Sequence, residues 1–73
     1  MTFTDAERAR IVEVEERDSA SLTVRTTMLG EIVEANESEP DVLLAMHGLL
    51  AGENEQTVAG LAGVSFTYRL VPQ

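Results

Sequence analysis

The chain contains no cysteine, no lysine and a single histidine in its 73 residues. Without cysteine there is no disulfide scaffold, no thiolate metal site and no cysteine nucleophile. Without lysine there is no G-K-[ST] phosphate-binding loop, and the glycines of A-G-L-A-G-V-S lack the residue that such a loop requires. The only basic side chains are five arginines, Arg8, Arg10, Arg17, Arg25 and Arg69. Long apolar runs are also missing: the uncharged stretches 42–52 and 56–68 are too short, and too rich in glycine and polar residues, to cross a bilayer. The opening MTFTDAERAR has no basic region leading into an apolar run, so no secretory leader is expected and the cytoplasm is the expected location.

What is present is acid. Thirteen carboxylates against five arginines give a net charge of −8, while 44% of the residues are hydrophobic. That apolar content is enough for collapse, so a folded core is expected despite the charge. A chain of this length makes one domain, residues 1–73, with a net stability of about 3–5 kcal/mol, part of which oligomerisation or a partner can supply. The charge is uneven. Residues 1–41 hold eleven acidic and four basic side chains, a net of −7, against −1 for residues 42–73. On this reading the first half is a charged shell and the second supplies most of the core.

Thr4-Asp5-Ala6-Glu7 has the form of a capping box and predicts a short opening helix. From Arg10 the pattern R-I-V-E-V-E-E alternates, and after the turn-like Arg17-Asp18-Ser19-Ala20 the run S-L-T-V-R-T-T-M alternates again. This predicts a hairpin, roughly 10–16 with 21–28, whose inner face carries Val12, Val14, Leu22, Val24 and Met28. A continuous helix over residues 4–18 competes, since Ala, Glu and Arg favour helix. Met28, Leu29, Ile32, Val33 and Asn36 then fall at helical spacing opposite Glu31, Glu34 and Glu37, a short amphipathic helix that Gly30 weakens by about 1 kcal/mol. Ser38 as N-cap, Pro40 in the first turn and Gly52 as a stop predict the main helix at about 39–51. Val64, Phe66, Tyr68 and Leu70 alternate with Ser65, Thr67 and Arg69, a final strand ended by Pro72. The expected fold class is therefore α+β: a small antiparallel sheet of about three strands, covered by the 39–51 helix and the short helix before it.

No residue pattern points to catalysis. His47 has Asp41 and Glu53 as its nearest acidic neighbours, neither at the i, i+4 spacing of a helical ligand pair, and it reads as a histidine at the edge of a packed helix. No serine lies in a nucleophile-elbow context, and Glu13 with Glu15 has no evident cleft in which one carboxyl could be held protonated. Neither enzyme activity, nor a cofactor, nor a bound metal is expected.

One stretch, Q-T-V-A-G-L-A-G-V-S-F-T-Y-R-L-V, resembles the core of the helix-turn-helix family through Val58, Ala59, Ala62, Gly63, Val64 and Ser65. The resemblance covers about sixteen residues and implies a helical C-terminus, in its degenerate form a helix-turn-helix that kept the fold and lost the DNA. The downstream F-T-Y-R-L-V-P departs from it: the segment is β-prone, places Arg69 where an apolar residue belongs, and reaches Pro72 before a recognition helix could form. One arginine in the last 32 residues is also no positive footprint for DNA.

The remaining feature is the carboxylate array: Glu13, Glu15, Glu16 and Asp18 near the hairpin tip, and Glu31, Glu34, Glu37, Glu39 and Asp41 through the helix junction. Carboxylates two apart on a strand face lie roughly 6.5–7 Å apart, and helical ones at i, i+3 about 5–6 Å, comparable with successive phosphates. The expected function is a non-catalytic acidic binding module, an inhibitor or regulator that offers these nine residues to the basic groove of a nucleic-acid-handling protein. Small acidic inhibitors of restriction or CRISPR systems behave this way as a class, although no motif ties this chain to them. No direct contact with nucleic acid or membrane is expected. The alternative is a structural subunit that forms a homodimer through its apolar C-terminal half, using Leu43, Met46, Leu49, Leu50 and an edge strand at 64–71.

Overall fold

The computed structural model describes residues 2–73. The element order is α1 (Asp5–Arg8), β1 (Ile11–Arg17), β2 (Leu22–Met28), α2 (Leu29–Ala35), α3 (Pro40–Leu50), β3 (Gln56–Ala59) and β4 (Ser65–Leu70). The strands form one antiparallel sheet in the order β2-β1-β4-β3, so the fold is α+β with one strand more than the alternation reveals. Among the described residues no helix is long and apolar enough to cross a membrane.

The capping box forms as its residues dictate: the Thr4 N–H donates to the Glu7 carboxylate at 2.8 Å and the Glu7 N–H to Thr4 Oγ1 at 3.1 Å. The helix stops at Arg8, because from Ile11 the chain can bury Val12 and Val14 only by alternating. The competing helix over residues 4–18 does not form.

Register overturns part of the expected inner face. Arg17 pairs with Leu22 across a four-residue turn, so Val12 faces Thr27 and Val14 faces Arg25. Residues directly opposite share a side of the sheet, and a turn with an even number of residues sets the even positions of β1 beside the odd positions of β2. Thr23, Arg25 and Thr27 thus lie on the inner side, while Leu22, Val24 and Met28 join Ile11 on the outer side, with exposures of 51%, 53%, 43% and 40%. Asp18 fixes this turn: its Oδ1 accepts the N–H groups of Ala20 and Ser21, both at 2.7 Å, while the Asp18 N–H donates to the Ser21 carbonyl.

The core draws on both halves of the chain rather than mainly the second. Val12, Val14 and Tyr68 from the sheet meet Leu29 and Ile32 of α2 and Val42, Ala45, Met46 and Leu49 of α3. Gly30 has a use beyond its cost: a Cβ there would lie 3.0 Å from Arg8 Cβ and 3.2 Å from the Arg8 carbonyl oxygen, so glycine lets α1 pack on α2.

The main helix starts at Pro40 rather than 39, and its N-cap is Glu39, not Ser38, with no side-chain cap bond. Proline at N1 excludes the residue before it from helical geometry, which makes Glu39 the boundary and leaves Ser38 one position too early. The C-terminus follows the expectation at Gly52, whose φ of +109° closes a Schellman motif: Gly52 N–H to Leu49 O at 3.1 Å and Glu53 N–H to Gly48 O at 3.0 Å.

Residues 56–70 form a hairpin, which excludes the helix-turn-helix reading. Val58 and Ala59 lie in β3, Ala62 and Gly63 adopt φ of 56° and 77° in the turn, and Ser65 opens β4. Of the homodimer surface drawn from the second half, Leu43 and Leu50 stay half-buried. Met46 and Leu49 are buried in the core, and β4 runs between β1 and β3 with no free edge.

Candidate protein-binding groove

The helices cover only part of the inner face of the sheet. Where they stop, toward the tips of both hairpins, an open groove of about 930 Å³ remains. Its floor is Val58 of β3 with Phe66 and Tyr68 of β4, its wall is Ile32 and Val42, and Leu61 overhangs it from the β3–β4 turn with 90% of its surface exposed. Phe66 is held in place from two sides. Its ring lies parallel to Tyr68 at 6.4 Å between centroids, and it passes so close to Gly60 that a Cβ there would meet Cε2 at 3.0 Å. Burial pushes the Tyr68 phenol above its ordinary pKa, with Arg25 opposing in part, so the floor carries a neutral hydroxyl.

Three carboxylates ring this groove, each from a different element: Glu16 at the end of β1, Glu31 on α2 and Glu39 at the entry to α3. Among the described residues none of the three has a basic side chain at salt-bridge distance. The Glu31 carboxylate instead accepts from the Thr27 hydroxyl. Arg25 is the single basic residue among the described residues that line the groove.

The other expected binding residues are placed elsewhere. Glu13 and Glu15 lie on the outer face of the sheet, as their spacing implies, but Arg69 sits opposite Glu13 in the register, and its Nη1 lies 3.4 Å from both carboxylates. Its Nη2 reaches Glu55 at 3.3 Å, and Arg17 approaches Glu15 at 3.8 Å. Their charge is therefore offset in part from within. Asp18 is taken up by its turn, and its bonds to Ala20 and Ser21 hold its pKa below the ordinary 3.8. Glu34 pairs with Arg8 at 3.1 Å. Glu37 is exposed in the α2–α3 connection, and Asp41, in the first turn of α3, borders a shallow depression with Leu44, Gln56 and Thr57.

Of the nine residues expected to bind, the fold gathers Glu16, Glu31 and Glu39 around one concavity and disperses the rest. The apolar lining could not be foreseen from spacing, since it depends on β3 and on where the helices end. His47 lies outside the groove, half-buried and stacked on Phe3 with ring centroids 4.2 Å apart. No family model, no curated protein and no solved structure matches the chain.

Proposed function

We propose that the chain is a non-catalytic binding module that offers carboxylates to a basic protein, in particular one that handles nucleic acid, and so acts as its inhibitor or regulator. The observation that supports this is unspent charge. Nine of the thirteen carboxylates have no basic side chain at salt-bridge distance among the described residues, and three of those nine surround an apolar groove. Unpaired surface carboxylates steer a positively charged partner and compete with phosphates for the same arginines and lysines. The test is displacement of labelled duplex DNA from a panel of basic nucleic-acid-binding proteins of the native cell. The chain is expected to displace it from at least one, and a Glu16→Gln/Glu31→Gln/Glu39→Gln variant to do so more weakly. Failure to displace it from any would contradict the reading.

A second reading, homodimerisation, rests on β2. This strand is a sheet edge, and its outer side carries Leu22, Val24 and Met28 beside Ile11. An exposed edge next to apolar surface invites pairing with another copy. Light scattering that gives the monomer mass from micromolar to millimolar concentration would exclude it.

A further inference from the structure

We infer that the groove takes an amphipathic helix of the partner, apolar on one side and basic on its flanks. The inference rests on the proposal that the partner is basic, and adds its shape and the place where it docks. The sheet has one face to bury and only α2 and α3 to bury it with, so the helical layer ends before the sheet does. What lines it is apolar: the exposed Leu61 and the half-buried Val58 and Phe66, continuous with the core residues Ile32, Val42 and Tyr68.

An occupant of that space lies on a sheet face, not along a sheet edge. An extended segment placed there would leave its own N–H and C=O groups without partners, whereas a helix satisfies them internally. A helix, about 10–12 Å across with side chains, continues the layer that α2 and α3 begin. Charge decides its flanks. Among the described residues Glu16, Glu31 and Glu39 stand around the opening against Arg25 alone, so residues that leave the apolar stripe of the incoming helix meet carboxylates.

The test uses two synthetic peptides of identical composition, about 14 residues of leucine, arginine and alanine. One places leucine at i, i+3, i+4 and i+7, and the other scrambles that order. Each is titrated into the full-length chain at low salt and followed by amide chemical shifts. The amphipathic peptide is expected to move the amides of Val58, Leu61, Phe66 and Glu39, and to bind at least about tenfold more tightly than the scrambled one. Leu61→Ser removes an exposed side chain without touching the core and is expected to weaken the amphipathic peptide about tenfold while leaving the scrambled one unchanged. Equal binding of both peptides, insensitive to Leu61→Ser, would overturn the groove inference and leave the acidic-surface proposal standing. No binding by either peptide would overturn both.

Discussion

Arg69 sits among Glu13, Glu15 and Glu55 at 3.3–3.4 Å, and without it those three carboxylates would face one another on the outer side of the sheet. Water screens the group, so Arg69→Gln is expected to destabilise the chain only slightly, and less at high salt than at low. Denaturant titration at two ionic strengths checks this, and a loss that salt leaves unchanged would argue for packing instead. Asp18 belongs to the same scale. Its folded pKa lies below the ordinary 3.8, so its stabilising contribution is full above that value and is lost as pH falls through the lower folded value. Asp18→Asn keeps an oxygen acceptor for the Ala20 and Ser21 N–H groups but removes the titration. The variant is expected to show a shallower decline in stability at acid pH than the parent chain.

Hairpin parity operates at the scale of the element. Val12 is buried and Val24 is 53% exposed, though both are even-numbered valines in alternating strands. Val12→Thr buries a hydroxyl and is expected to cost about 1–3 kcal/mol, whereas Val24→Thr stays within about 0.5 kcal/mol of the parent. Thermal melts of the two variants check the assignment, and equal losses would contradict it. The end of α3 gives a second case: Gly52 has φ +109°, so Gly52→Ala is expected to lose about 1–2 kcal/mol.

These elements also separate what could be read from sequence from what could not. The capping box at Thr4 and Glu7, the alternation at Val12 and Val14, and the stop at Gly52 are local rules, and each was legible. The face taken by Leu22, Val24 and Met28 is not legible, because parity depends on the Asp18–Ser21 turn, which alternation does not count. The strand at Gln56–Ala59 is four residues long and set beside small residues, too short for periodicity to mark. The groove depends on that strand, so only its acidic rim is legible in the sequence.

At the scale of the whole molecule, a net charge of −8 is held within extents of 36 × 26 × 19 Å. The fold moderates the imbalance between the two halves by returning Arg69 to the sheet face that carries Glu13 and Glu15. The remaining carboxylates repel one another, and that repulsion opposes compactness until salt screens it. The melting temperature is therefore expected to rise with added salt, and calorimetry from low to moderate ionic strength measures it. A melting temperature that falls would mean that ion pairs such as Arg69 with Glu55 outweigh the repulsion.

The proposed function requires this charge to steer a basic partner to the chain. Stopped-flow association with a basic nucleic-acid-binding partner, measured across ionic strength, tests it most directly. The rate is expected to fall at least about tenfold between about 50 mM and 500 mM salt, with a shallower dependence for the Glu16→Gln/Glu31→Gln/Glu39→Gln variant. A rate indifferent to salt, and equal in the parent and the variant, would contradict it.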